Sequence, residues 1–140
     1  QNPENTILLF GGGKKEIEVL EGFAEHKENV LNMAGKIKFQ QELKLMSHLD
    51  LMLSMDSGNA HLAAMLGVKV ITLWGATHPF AGFLPFNQSM ENALVADRTQ
   101  FPKLPTSVYG NKIVEGYENA MRTITPDKVV DKIEKTLLKS

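Results

Sequence analysis

L-D-L-M-L-S-M-D-S-G-N-A-H-L-A-A-M-L-G-V-K-V-I-T-L-W-G-A-T-H-P, from Leu49 to Pro79, reads as a strand, a tight turn, a helix and a second strand. The first apolar run stops at Asp56-Ser57-Gly58-Asn59, and the second starts at Val68 after Gly67. Near-continuous apolar runs of this kind mark strands buried on both faces, as in parallel sheets. The pattern predicts strands over Leu49–Met55 and Val68–Trp74, and a helix from about Asn59 to Leu66 closed by Gly67 in a left-handed cap. A buried parallel strand feeding a helix N-terminus is a common place to hold a phosphate.

Upstream the same alternation is visible. Thr6-Ile7-Leu8-Leu9-Phe10 is a short apolar run ending at Gly11-Gly12-Gly13, a strand followed by a loop of unusual backbone freedom. From Lys14 to His26 a helix is predicted, with Ile17, Leu20 and Phe23 or Ala24 on one face and charges opposite. Val30 to Met33 is a second strand candidate, and Phe39, Leu43 and Met46 mark the docking face of a second helix over Phe39–His48. Downstream the texture changes. Gly75 to Asn111 carries four prolines and an aromatic set of Phe80, Phe83, Phe86, Phe101 and Tyr109, interrupted by the short run Asn92 to Val95. Connections of this length are usually functional or form their own layer. Thr125-Pro126-Asp127 is a helix start with a capping hydroxyl, and Val129, Val130, Ile133, Leu137 and Leu138 form its docking face. Strands alternating with helices predict an α/β fold with a mainly parallel sheet covered on both faces.

Composition narrows the chemistry. The 140 residues fit one domain, and 15 basic against 16 acidic residues, mixed along the chain, leave no basic stripe for nucleic acid. There is no cysteine, hence no disulfide or thiolate metal site. The histidines at 26, 48, 61 and 78 lack the short spacings of zinc ligands, so no metal is expected. No apolar run approaches the roughly 20 residues that span a bilayer, and Gln1 to Asn5 lacks the regions of a signal peptide. A soluble protein is the expectation. Met33, Met46, Met52, Met55 and Met65 read as core filler, and Trp74 as packing before stacking.

In open parallel sheets, ligands bind beyond the carboxyl ends of the strands. Three loops leave strand ends in that sense, Gly11 to Lys15, Met55 to Asn59 and Gly75 to Pro79, and are expected to converge on one crevice. In the central loop, Gly58 lets an anion approach the free N–H groups of the first helical turn, Ser57 adds a hydroxyl, and His61 lies on the same face one turn later. A pyrophosphate suits these parts. Asp56 would be repelled by it and suits sugar hydroxyls or the helix N-terminus better. The plainer alternative is a capped helix with His61 packed under a loop, since neither G-x-G-x-x-G nor the P-loop pattern is present. Gly12 and Gly13 likewise allow a close ligand approach, with Glu16 able to accept from a ribose diol. The plain reading there is a flexible turn with a solvated acid at a helix start. Thr77 and His78 offer a hydroxyl and an imidazole at the third strand end, or simply a bend before Pro79.

Taken together, Asp56 to Pro79 resembles the C-terminal, donor-binding half of the heptosyltransferase family of glycosyltransferases, glycosyltransferase family 9. In that family a buried strand ends in D-S-G or D-T-G, a histidine and leucine follow on a helix, and the next strand ends in G-x-T-x-P. A G-G-x-x-E segment (Gly12 to Glu16) and P-T-S-V-Y-G-N-K (Pro105 to Lys112) extend the likeness over nearly the whole chain. The resemblance implies the Rossmann-like half of a two-domain, metal-independent, inverting GT-B enzyme of lipopolysaccharide assembly. It implies that residues 1 to 140 form a nucleotide-sugar binding domain whose N-terminal acceptor domain, with the catalytic base, is missing. No catalytic residue is then expected in this chain. Carried over by position, Gly58 and His61 with Ser57 would hold the diphosphate of an ADP-sugar, Asp56 its sugar hydroxyls, Glu16 the ribose beside Gly12 and Gly13, and Ile37 the adenine. Thr77 would line the sugar end. No cofactor is implied. The acceptor would be a lipid-linked saccharide reached through the missing domain, in the cytoplasm or at the inner face of the bacterial membrane, and an exposed interdomain face would favour self-association. Ala76 and His78 depart from the proline and aspartate common at those positions in the family. The alternative from another class is a non-catalytic flavodoxin-like or receiver-like module binding a protein through Phe80 to Tyr109.

Overall fold

The computed structural model describes residues 4–81 and 83–138. The chain divides into two compact units, Gln1–Lys44 and Leu45–Ser140.

In the first unit, β1 (Ile7–Leu9) pairs in parallel with β2 (Val30–Asn32), in the register Ile7 to Val30 and Leu9 to Asn32. Their connection is helix α1 (Lys14–Ala24), which packs against β2. Ile17, Leu20 and Ala24 of its apolar stripe are partly buried, whereas Phe23 is exposed, so the packed face is narrower than the periodicity allows. A polar clamp closes the far end of this unit. The buried Asn32 carboxamide donates to Glu21 Oε2 at 2.7 Å and accepts from the Ala34 N–H at 3.0 Å, and Lys36 reaches the same Glu21 oxygen at 3.2 Å. The Asn32 hydrogen bond, then the Lys36 hydrogen bond and charge, hold the Glu21 carboxyl below its ordinary range. Helix α2 (Phe39–Met46) follows, with Phe39 exposed and Met46 buried.

The second unit is built on β3 (Met52–Met55), β4 (Val70–Trp74) and β5 (Ala93–Val95), all parallel, in the order β3-β4-β5. Both strands of the central motif begin later than their apolar runs, because a ladder forms only where partners run side by side. Met52 meets Val70 at one end and Met55 meets Leu73 at the other. The residues ahead of the ladder still bury themselves, as Val68 does. Helix α3 (Gly58–Met65) returns the chain between β3 and β4 and packs on both. Its buried residues are Ala60, Ala63 and Ala64, whose small side chains bring helix and sheet close. Gly67, at φ 82°, takes the left-handed conformation expected of it.

Trp74 and Ile71 of β4 are fully enclosed, so Trp74 serves packing, and its indole N–H donates to Thr72 Oγ1 at 2.7 Å. Ahead of β5, the Gln88 carboxamide accepts from Val70 N–H at 2.8 Å and donates to the Val68 carbonyl at 3.2 Å. Met46 and Met52 are core residues as anticipated, while Met55 and Met65 face outward. Helix α4 (Pro126–Leu137) starts at Thr125, whose Oγ1 accepts from the Lys128 N–H at 3.4 Å. Val129, Ile133 and Leu137 are partly buried on it, whereas Val130 and Leu138 are exposed. Of the aromatic set, Phe80, Phe86 and Tyr109 are exposed, and Phe83 and Phe101 are partly buried.

Candidate functional site

Because β3, β4 and β5 are parallel, their carboxyl ends open on one edge of the sheet. The Asp56–Ser57 turn leaves β3 there and the Gly75–Thr77 turn leaves its neighbour β4. Two of the three loops singled out in the sequence are thus adjacent, while Gly11 to Lys15 belongs to the first unit.

At the β3 end, Ser57 is the residue preceding α3, extended at φ −150° and ψ 165°, but its side chain does not cap the helix. Its hydroxyl instead shares a 2.8 Å hydrogen bond with Ser54 Oγ on the strand. The side-chain cap of the plainer alternative is therefore not formed among the described residues, and no bond within them takes up the N–H of Gly58 or Asn59. These are the donors that an α-helix leaves unpaired at its start, and the helix dipole lies behind them. A Cβ built on Gly58 would meet nothing within 4 Å, so the backbone here is open to approach. Asp56 and His61 are both partly buried and make no hydrogen bond among the described residues. Five polar groups thus stand uncommitted within one turn: the Gly58 and Asn59 N–H groups, the two Asp56 carboxylate oxygens and the imidazole.

At the β4 end the two polar side chains are used differently. His78 is buried, with Nδ1 accepting from the Phe80 N–H at 3.2 Å and its ring 4.7 Å from that of Phe80. Burial, then the nearby Arg98 charge, pushes its pKa below the ordinary histidine value, so it stays neutral and holds the bend before Pro79. Thr77 is partly buried and its hydroxyl makes no hydrogen bond among the described residues.

The β5 end brings in residues that the sequence reading passed over. Asp97 folds into a tight turn in which its carboxylate accepts from the Thr99 N–H at 2.8 Å, the Thr99 hydroxyl at 2.5 Å and Gln100 Nε2 at 2.7 Å. These bonds, the Thr99 side chain first, hold its pKa down to about 2. Arg98 follows, exposed, as the cation whose field reaches His78. The only signal in the sequence was D-R-T-Q placed just after a short apolar run. A carboxyl whose folded-state pKa is depressed adds stability that is complete above the unfolded value of roughly 4 and is lost as pH falls through the folded one. Asp97 is accordingly expected to remain ionised at about pH 3, where an ordinary aspartate is mostly protonated. Carbon-detected carboxyl NMR checks this, and a midpoint at the ordinary value would show that the turn is open.

In the first unit, Glu16 Oε2 accepts from the Gly12 N–H at 2.8 Å, and Gly13, at φ 84°, precedes α1. Glu16 is exposed, and its second oxygen takes no bond among the described residues. Ile37 lies partly buried in the segment between β2 and α2. Among the described residues no three histidine, aspartate or glutamate side chains are grouped so as to hold a metal ion.

The framework is an α/β protein with its uncommitted polar groups on the carboxyl edge of a parallel sheet. The chain belongs to glycosyltransferase family 9 (heptosyltransferase), whose model matches residues 1–112. It is similar to lipooligosaccharide heptosyltransferase 2 of Haemophilus ducreyi, 29% identical over 138 residues, which are 94% of this chain and 38% of that protein. Lipopolysaccharide core heptosyltransferase OpsX of Haemophilus influenzae is 38% identical over 80 residues, covering 56% of this chain and 23% of the relative. The chain spans well under half the length of these relatives. Among solved structures, a glycosyl transferase family 9 protein from Veillonella parvula superposes with a TM-score of 0.68 at 22% identity, over 96% of this chain and 37% of that one. That likeness bears out the α/β fold.

Proposed function

We propose that this chain is the donor-binding part of a glycosyltransferase of lipopolysaccharide assembly, which moves a sugar from a nucleotide diphosphate to a lipid-linked saccharide. One observation carries the reading: the Gly58 and Asn59 N–H groups at the start of α3, and the His61 imidazole on the same helix, take no hydrogen bond among the described residues, and Gly58 is open to approach. Such a helix start binds a diphosphate by hydrogen bonding and by its dipole. As the anomeric bond breaks, charge builds on the leaving diphosphate, and donors already fixed in place stabilise it without reorganising. His61 adds a further donor, and Ser57 stands beside it. Asp56 is assigned to sugar hydroxyls, because its carboxylate would be repelled by the diphosphate. Thr77 lines the sugar end.

In the first unit, Gly12, Gly13 and the second oxygen of Glu16 suit a ribose diol, and Ile37 suits an adenine face. The donor is then an ADP-sugar, bound without metal or cofactor. A base outside this chain deprotonates the acceptor hydroxyl, so the chain alone does not turn over. The enzyme works in the cytoplasm or at the inner face of the membrane. The exposed rings of Phe80, Phe86 and Tyr109 are assigned to contact with the acceptor-binding part, and to self-association in its absence. No described helix is long and apolar enough to cross a membrane.

The test is an ADP titration of a nitrogen-labelled sample. Amide resonances of residues 11–16, 56–61 and 75–78 are expected to move, and His61→Ala to weaken the response roughly tenfold, the worth of one charge-assisted hydrogen bond. Saturating ADP that moves none of them would overturn the assignment.

A further inference from the structure

Neither the strand ends nor α3 account for the segment from Pro105 to Lys112, yet it is built directly onto the turn that carries Thr77. The Thr106 N–H donates to the Ala76 carbonyl at 3.0 Å. Gly110 sits so close that a Cβ there would stand 2.8 Å from Thr77 Cγ2 and 3.2 Å from both the carbonyl carbon and the Cβ of Ala76. Its φ of 66° is one that other residues rarely adopt.

The segment is also closed upon itself. The Gly110 N–H donates to the Ser107 carbonyl at 3.1 Å. The Ser107 hydroxyl accepts from the Asn111 N–H at 3.1 Å and donates to Asn111 Oδ1 at 2.7 Å. The Tyr109 ring lies 5.9 Å from that of Phe83. Thr106 Oγ1 is enclosed with no hydrogen-bond partner among the described residues, so the arrangement is kept although it leaves a hydroxyl unmatched there. Any side chain at 110 must push on the Thr77 methyl or on the Ala76 backbone.

We propose that Gly110 is a positioning residue that sets the Thr77 turn against the sugar of a nucleotide-diphosphate sugar, so that this segment tunes the hold on the sugar and not on the nucleotide. The inference rests on the donor-binding reading given above. The separation of effects follows from the topology. The diphosphate groups are assigned to the end of β3 and the start of α3, whereas the three atoms nearest to a Cβ at Gly110 all belong to the turn leaving β4.

Gly116 supplies the control. At φ 81° it imposes the same backbone strain on an added side chain, but a Cβ there meets nothing within 4 Å. Gly110→Ala and Gly116→Ala are compared in the 140-residue chain by calorimetry with ADP and with ADP-heptose, and by the amide resonances of Ala76 and Thr77 without ligand. Gly110→Ala is expected to move both resonances and to weaken ADP-heptose roughly tenfold, the worth of one misplaced hydrogen bond. ADP should stay within about twofold, well below the change expected from one lost hydrogen bond. Gly116→Ala should do neither. Adding Thr77→Ser to Gly110→Ala, which keeps the hydroxyl and deletes the clashing methyl, should recover part of the lost affinity. Equal behaviour of the two alanine variants, or equal loss of ADP and ADP-heptose, overturns the proposal. If the unmodified chain binds neither ligand, the donor-binding reading itself fails, and shifts confined to Gly110→Ala would leave only the contact between the two loops.

Discussion

Gly58→Ala is expected to strengthen the fold and to weaken ADP binding at the same time. Gly58 is the first residue of α3, its φ lies outside the left-handed region, and a Cβ there meets nothing, so alanine fits without strain. Relative to glycine, alanine loses less backbone entropy in a helix, a gain of up to about 1 kcal/mol. The space the methyl takes is the space through which an anion would reach the helix N–H groups. Losing one hydrogen bond to a charged group costs about 1.5–3 kcal/mol, which is tenfold or more in affinity. Urea denaturation reads the first effect and calorimetry the second. Most damaging substitutions lower both quantities together, so opposite signs are diagnostic. Unchanged ADP affinity would mean that the anion does not use this helix start.

Trp74→Ala should cost the second unit most of its stability. The side chain is fully enclosed at the carboxyl end of the middle strand, and its indole N–H holds the hydroxyl of the buried Thr72. Deleting a buried tryptophan costs about 3–5 kcal/mol through lost transfer energy and the cavity left behind. Stranding the Thr72 hydroxyl adds about 1–3 kcal/mol. Typical domains are stable by about 5–15 kcal/mol, so this change consumes much of the margin. Trp74→Phe retains most of the volume and loses only the indole hydrogen bond, and should fall between. The urea midpoint is the measurement, with an unchanged slope showing that the unfolding unit is the same. A shift of less than about 1 kcal/mol would contradict the enclosed position.

What the sequence disclosed and what it withheld divide along the range of the forces involved. The Met52 to Trp74 unit was legible because everything that makes it is local: apolar runs, a turn without Cβ at Gly58, and Gly67 to stop the helix. The apolar runs begin at Leu49 and Val68, ahead of the strands at Met52 and Val70, since burial reaches beyond the ladder. Phe23, Val130 and Leu138 belong to the right periodicity but stand outside the packed stripe. Periodicity gives the direction of a buried face and not its width.

Of the candidate site, the Asp56 to His61 cluster follows from neighbours in sequence and was readable. The Asp97 turn is equally local, since its carboxylate bonds all run to Thr99 and Gln100, and D-R-T-Q carries it without marking it as part of a strand end. The Arg98 charge near the buried His78 and the approach of Gly110 to Thr77 depend on segments that meet only in the fold, and nothing in their spacing announces them.

The Gln88 carboxamide carries a consequence for how this molecule behaves among its own copies. Strand β5 covers β4 only from Thr72 onward, which would leave the Val68 carbonyl and the Val70 N–H as an open rung. Gln88 satisfies both with one side chain that offers a donor and an acceptor at nearly the spacing of a peptide group. A side chain thus impersonates a missing piece of strand. An extended peptide from another molecule finds no template there, and the sheet is sealed against growth where its own last strand is too short to do so.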